Sequence, residues 1–248
     1  MHSQMLIPRF TLAVLFALAA APPATSPWEK APEKWDEADA YRILRNSPWS
    51  PAKTKLEANY TQRHADPLTG ITSTSGINSE DTGLVRGIQL SRNTDYPDVT
   101  VLWWSSKTIR LAQLRLHQLK NPAASPELLR AEAPPDHVIT VNGAEQFRVL
   151  RDAKEDLHDT VFLELAGGLP LDLQSVSFVE SAGGDDARVE FHFPRQVDGR
   201  PAIDPQSPRV IFHCKATAKT PHPGQINALS FHAEFHPNEM RVGGVPDL

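Results

Sequence analysis

The residue types best suited to chemistry lie in the last third of the chain, where imidazoles and carboxylates alternate with phenylalanine. Ala187–Phe193 (ARVEFHF), Arg209–Thr217 (RVIFHCKAT) and Leu229–His236 (LSFHAEFH) each read as strands, whose side chains point alternately to two faces. One face collects Phe191 and Phe193, then Val210, Phe212 and Cys214, then Leu229, Phe231, Ala233 and Phe235. The other collects Glu190 and His192, His213 and Lys215, and His232, Glu234 and His236. If these strands are neighbours, the imidazoles and carboxylates share one surface. Zinc hydrolysis needs three nitrogen or oxygen ligands at about 2 Å, with a fourth position left for water. His192, His213 and His232 are the candidate ligands for a metal-assisted hydrolase. No helix-borne ligand pair fixes their geometry, and a flat sheet holds its side chains parallel. The spacing therefore favours a solvated polar face with a weak response to pH.

Other chemistry-bearing residues also have ordinary structural roles. Cys214 alternates with Val210 and Phe212, so its thiol is expected to be buried and inert, and a lone cysteine forms no intramolecular disulfide. Ser105 and Ser106 open a helix, where free N–H groups can bind an anion, although serine at that position ordinarily caps the helix. Trp28, Trp35 and Trp49 could stack on sugars, but tryptophans flanking a helix more often anchor it to a core. No G-x-S-x-G elbow, phosphate loop, dinucleotide fingerprint or C-x-x-C pair occurs.

These residues need elements to position them, and the strongest is Val99–Lys120 (VTVLWWSSKTIRLAQLRLHQLK). It reads as a buried strand (Val99–Trp104), a two-serine joint and a helix of about three turns with Ile109, Ala112, Leu116 and Leu119 on one stripe. Leu111 and Leu114 lie opposite that stripe, so the helix is buried on two sides. Arg110 and Arg115 then need carboxylate or carbonyl partners in low-dielectric surroundings.

Upstream, Glu33–Asn46 predicts a helix with acids in its first turn and arginines in its last, begun by Pro32 and ended by Ser47-Pro48. Ala52–Asn59 predicts a strand, and Gln62–Thr82, polar and aperiodic, a mobile loop. Leu84–Arg92 predicts a strand returning through a turn to Val99–Trp104. Downstream, a short helix is expected from Ser125-Pro126 to Glu132, a strand over Asp136–Asn142, a charged helix over Gln146–His158 and a further strand or helix end over Thr160–Leu165. Val176–Glu180 and Ala187–Phe193 flank a glycine turn. With the two later strands they most simply form an antiparallel meander.

The N-terminus predicts the compartment. Met1–Arg9 carries one cation, Phe10–Ala21 (FTLAVLFALAAA) is apolar, and Ala17-Leu18-Ala19 offers a cleavage pattern. This is the layout of a signal peptide, expected over residues 1–20, and the apolar run falls short of the ~20 residues that span a bilayer. No membrane span is expected after its removal. The formal charge of −5 and the scattered basic residues argue against nucleic acid. The 22 prolines exceed the ~5% average and point to many strand ends and turns.

Several short runs together resemble a group of exported bacterial proteins, uncharacterised or sometimes labelled GWxTD-domain proteins. They are the helix end Ser47-Pro48-Trp49, the run from Trp104 to Ala112, Phe193-Pro194-Arg195, and the tail from Met240 through Gly244 to Asp247-Leu248. The resemblance implies export and one architecture, and brings no activity.

The sequence thus predicts an α+β fold, an antiparallel C-terminal meander with a few helices packed on one face. Residues 21–248 form one domain, helical and stranded to about residue 135 and β-rich beyond. The expected function is a non-catalytic binding or scaffold module of the periplasm or cell exterior, needing no cofactor. Its partner would be another envelope protein or a glycan, and the alternative is the hydrolase built on His192, His213 and His232.

Overall fold

The computed structural model describes residues 25–52, 54–65, 72–76, 99–121, 134–180, 187–222 and 225–248, with the backbone alone for 55–65, 72–76 and 144–145. The expected leader, the strand over Leu84–Arg92 and the helix over Ser125–Glu132 lie outside the described residues. The fold is α+β with antiparallel sheets.

Local signals set the first elements. Helix α1 spans Glu37–Arg45 and is capped by Asp36, which accepts from the Asp39 N–H at 2.7 Å. The expected helix started at Glu33. Instead, Pro32–Lys34 makes a separate 3-10 turn, because Trp35 and Asp36 are extended. The Trp35 indole donates to the Pro27 carbonyl at 2.8 Å, which fixes that extended step in the core. Strand β1 (Lys55–Ala65) pairs with β2 (Thr72–Gly76). Part of the expected loop over Gln62–Thr82 is therefore paired strand. The cause is visible in composition, since a Thr/Ser run with little helix propensity can complete an edge strand.

Strand β3 (Thr100–Trp103) leads through Ser105-Ser106 into α2 (Lys107–Lys120), as the patterning predicts. Ser106 is the cap and accepts from the Ile109 N–H at 3.1 Å. Ile109, Ala112, Leu114 and Leu116 are buried and Leu111 is half-buried, so the helix is covered on two sides, while Leu119, expected on the buried stripe, is exposed in its last turn. Arg115 donates to the Trp35 carbonyl at 2.9 Å, and Arg110 to the Ser106 carbonyl at 3.3 Å. The chain continues through β4 (His137–Asn142), α3 (Ala144–Asp152), α4 (Leu157–Thr160), β5 (Val161–Glu164), β6 (Pro170–Asp172) and β7 (Ser175–Val179). It ends with β8 (Arg188–Phe193), the small β9–β10 hairpin (Gln196–Val197, Arg200–Pro201), β11 (Val210–Thr217), β12 (Ile226–Phe235) and the β13–β14 hairpin (Arg241–Val242, Val245–Pro246).

Two sheets hold most of this. One has the order β3-β4-β8-β7, the other β2-β1-β12-β11-β5-β6. Their apolar faces pack together, with Phe191 and Phe193 centred 5.3 and 6.3 Å from Phe212, and Trp103 5.0 Å from Phe235. The C-terminal strands form antiparallel hairpins in sequence order, but β7–β8 belongs to the first sheet and β11–β12 to the second. The proline-bearing link from Pro194 to Pro208 carries the chain across. Opposing the two phenylalanine faces buries both at once. Helix α1 packs on α2, while α3 touches strands of both sheets.

The tail closes the structure. Gly243 and Gly244 both adopt left-handed backbone (φ 55° and 81°) at the tip of the β13–β14 hairpin, a turn that only glycine enters without strain. The hairpin delivers Asp247 to α2, where its carboxylate accepts from the Lys107 and Thr108 N–H groups at 2.7 and 2.9 Å. Trp49 donates through its indole to the Asp247 carbonyl at 2.6 Å, and both terminal nitrogens of Arg195 reach the Leu248 main-chain oxygen at 3.2 Å. Burial lowers the pKa of Arg110 and of Arg195, and Asp247 acts against that in both.

Asp247→Ala removes one carboxylate from two helix N–H groups and from the positive end of the helix dipole. It is expected to destabilise the fold by about 1–2 kcal/mol, read as a lower urea midpoint at unchanged slope. An unchanged midpoint would mean that water caps α2 equally well.

Candidate functional site

The three histidines of the hydrolase reading are divided between the sheets. His213 and His232 are register partners on β11 and β12, and they point away from the core on the six-stranded sheet. His192 is on β8, on the outward side of the other sheet. The two outward sides face opposite directions, so these imidazoles do not converge. Alternation identified the outward side chains correctly, but it cannot tell whether two apolar faces lie side by side or opposed. Among the described residues, no group of three His, Cys, Asp or Glu side chains could hold a metal ion.

On the six-stranded sheet the polar groups pair along an open surface. The His213 ring stacks on Phe162 (4.7 Å, 16°), its Nε2 lies 3.0 Å from Glu164, and the His232 ring is 6.3 Å away. Arg209 bridges Glu164 and Glu234 at 3.7 and 4.0 Å, and His236 shares Glu234 at 3.7 Å. Arg209 and Glu234 are 52% and 45% exposed, and pairs of this kind contribute little to stability.

The outward side of the four-stranded sheet is more covered, with Leu102, Val138 and Thr140 at its centre buried. β8 sends Arg188, Glu190 and His192 outward, and their register partners on β4 are Asn142, Thr140 and Val138. Arg188 Nε donates to Glu190 at 2.8 Å, and His192 Nδ1 lies 3.4 Å from Asp136. These four charged or titratable side chains are only 15–26% exposed, which separates this face from the solvated one. The Arg188 guanidinium lies over the Trp104 ring at 4.6 Å. In the register, that contact crosses β4 diagonally above Thr140.

Three side-chain atoms on this face are buried and have no hydrogen-bond partner among the described residues: Thr140 Oγ1, Asn142 Oδ1 and His192 Nε2. His192 Nε2 does approach Glu190, but 3.9 Å is an ion-pair separation, too long for a hydrogen bond. A withdrawn polar atom without a partner destabilises a fold by about 1–3 kcal/mol; others of this kind, such as His137 Nδ1 and Trp103 Nε1, face the core, whereas these three lie on the outward side. Sequence reading found His192 and Glu190 but missed Asp136, Trp104, Thr140, Asn142 and Arg188. The alternation of Thr140 and Asn142 with Ile139 and Val141 was the available signal, since polar residues at alternate positions of a strand mark its outward side.

The remaining expectations resolve locally. Trp49 is fully buried, and Trp28 meets it edge-on at 5.7 Å. With Trp35 also buried, this group anchors the core rather than stacking on sugars. The helix start at Ser106 is capped by serine, and its anion position is filled by the chain's own Asp247. Cys214 is buried, and burial raises its thiol pKa, which leaves it inert as expected. His137 faces the core, edge-on to Trp103 at 5.6 Å. Its pKa is pushed down to about 3, first by burial and then by Arg195.

The chain matches no family model, and neither a curated protein nor a solved structure gives a significant match to it.

Thr140→Val keeps the shape of the side chain and removes the partnerless hydroxyl. It is expected to raise stability by about 1 kcal/mol, seen as a higher midpoint in thermal unfolding; a lower midpoint would show that the hydroxyl is satisfied. His137 supplies a pH dependence. Its folded pKa lies below that of the unfolded chain, so the unfolded state takes up the proton first as the pH falls. Stability contributed by the neutral ring is present above about pH 6.5 and is lost toward pH 3, by up to ~1.4 kcal/mol per pH unit. Urea midpoints measured between about pH 7 and 5 should fall for the wild type and fall less for His137→Phe.

Proposed function

We propose that this protein is an exported, non-catalytic binding module of the cell envelope, working in the periplasm or at the cell exterior. Export is supported by the leader pattern of residues 1–20 and by the resemblance to exported bacterial proteins. No helix among the described residues is long and apolar enough to cross a membrane. Binding is supported by one observation above the others: the outward face of the four-stranded sheet, where Thr140 Oγ1, Asn142 Oδ1 and His192 Nε2 have hydrogen-bonding capacity that no described residue uses. A fold gains nothing from withdrawing such atoms from water. A ligand or partner seated on that face supplies the missing bonds.

Fractionation combined with in-cell photo-crosslinking tests the reading. A photoreactive residue at the exposed Ser177, the register partner of Glu190, is expected to give a discrete adduct in the periplasmic or extracellular fraction. The same group at Glu239, away from this face, is expected to give none. Recovery of the chain from the cytosol, or the absence of adducts at both positions, overturns the proposal.

A further inference from the structure

We infer that the outward face of the four-stranded sheet is a binding site for a neutral oligosaccharide. The inference rests on the binding-module reading and adds the ligand's chemistry. The unused atoms set the first requirement. Asn142 Oδ1 can only accept a hydrogen bond, whereas Thr140 Oγ1 and His192 Nε2 can each donate or accept. A ligand that completes all three must itself supply donors, which excludes a carboxylate, phosphate or sulfate group as the recognised element. Hydroxyl groups do both.

Charge sets the second requirement. Among the described residues Glu190 is paired with Arg188 at 2.8 Å, and Asp136 lies 3.4 Å from His192 Nδ1. An anionic ligand therefore finds no unpaired cation among the described residues of this face. Extent sets the third. Asn142, Thr140 and Val138, the register partner of His192, are successive outward positions on β4, and each two-residue step along a strand covers about 7 Å. A ligand touching Asn142 and His192 is therefore longer than one sugar ring. Trp104, half-buried at the margin, offers a flat apolar surface of the kind that the C–H side of a sugar packs against. Arg188 lies over that ring without ligand and covers Thr140, so a bound chain takes the guanidinium's place above β4.

Titration calorimetry of the exported chain against maltohexaose, cellohexaose and chitohexaose, with oligogalacturonate as the anionic comparison, tests the assignment. At least one neutral hexasaccharide is expected to bind, and the anionic chain is not. Thr140→Val, which preserves shape, and Asn142→Ala are each expected to weaken binding about tenfold or more. His213→Ala, on the opposite sheet, is expected to leave it unchanged. Failure of all three neutral chains to bind, preference for the anionic chain, or undiminished binding by the Thr140 and Asn142 variants overturns the assignment. An adduct through Ser177 in cells, alongside no neutral saccharide binding, would leave the binding-module reading standing and remove the saccharide alone.

Discussion

Phe212 is the contact on which both sheets depend. It lies on β11 and meets Phe191 and Phe193 of the facing sheet, as well as Phe231 on its own neighbour at 6.1 Å. Each buried phenylalanine contributes about 1.5–3 kcal/mol of transfer free energy, and aromatic pairs add to that through their geometry. With a lone cysteine and no intramolecular disulfide possible, this apolar layer does the work that staples do in many small exported domains. Fixing the two inner faces also fixes the two outer ones. The solvated row around His213 and the recessed row around Thr140 point in opposite directions because the phenylalanines between them point toward each other.

The two outer surfaces differ in character for a local reason. On the six-stranded sheet, Arg209 and Glu234 are long and exposed, and they meet at a separation where water competes. On the four-stranded sheet, the Trp104–Arg188 stack shelters the centre of β4, so Thr140 Oγ1 and Asn142 Oδ1 lose water without a hydrogen-bond partner among the described residues.

Much of this was legible in the sequence, and what was not follows a pattern. The β3–serine–α2 unit was visible because a β-rich apolar run and a helical stripe adjoin there, and the two-sided burial of α2 followed from Leu111 and Leu114. The inward set of Phe191, Phe193, Phe212, Phe231 and Phe235 was visible from alternation alone. The division of the C-terminal hairpins between two sheets was not, because period-2 patterning is the same for strands that lie side by side and for strands that face each other. That ambiguity is what brought His192, His213 and His232 together on paper. The helix cap also hid its second half: Ser106 is local and readable, while Asp247 is distant. Trp104 escaped notice because, inside an apolar run, an outward tryptophan reads the same as an inward one.

The distance between Asp247 and α2 has a consequence for how the chain matures. The helix it caps is made of residues 107–120, yet the carboxylate arrives from 140 positions downstream of Lys107. A chain that is synthesised from its amino end builds the strand and helix long before that carboxylate exists. The β13–β14 hairpin therefore supplies three things together: the second cap of α2, the acceptor for the Trp49 indole and the acceptor for Arg195.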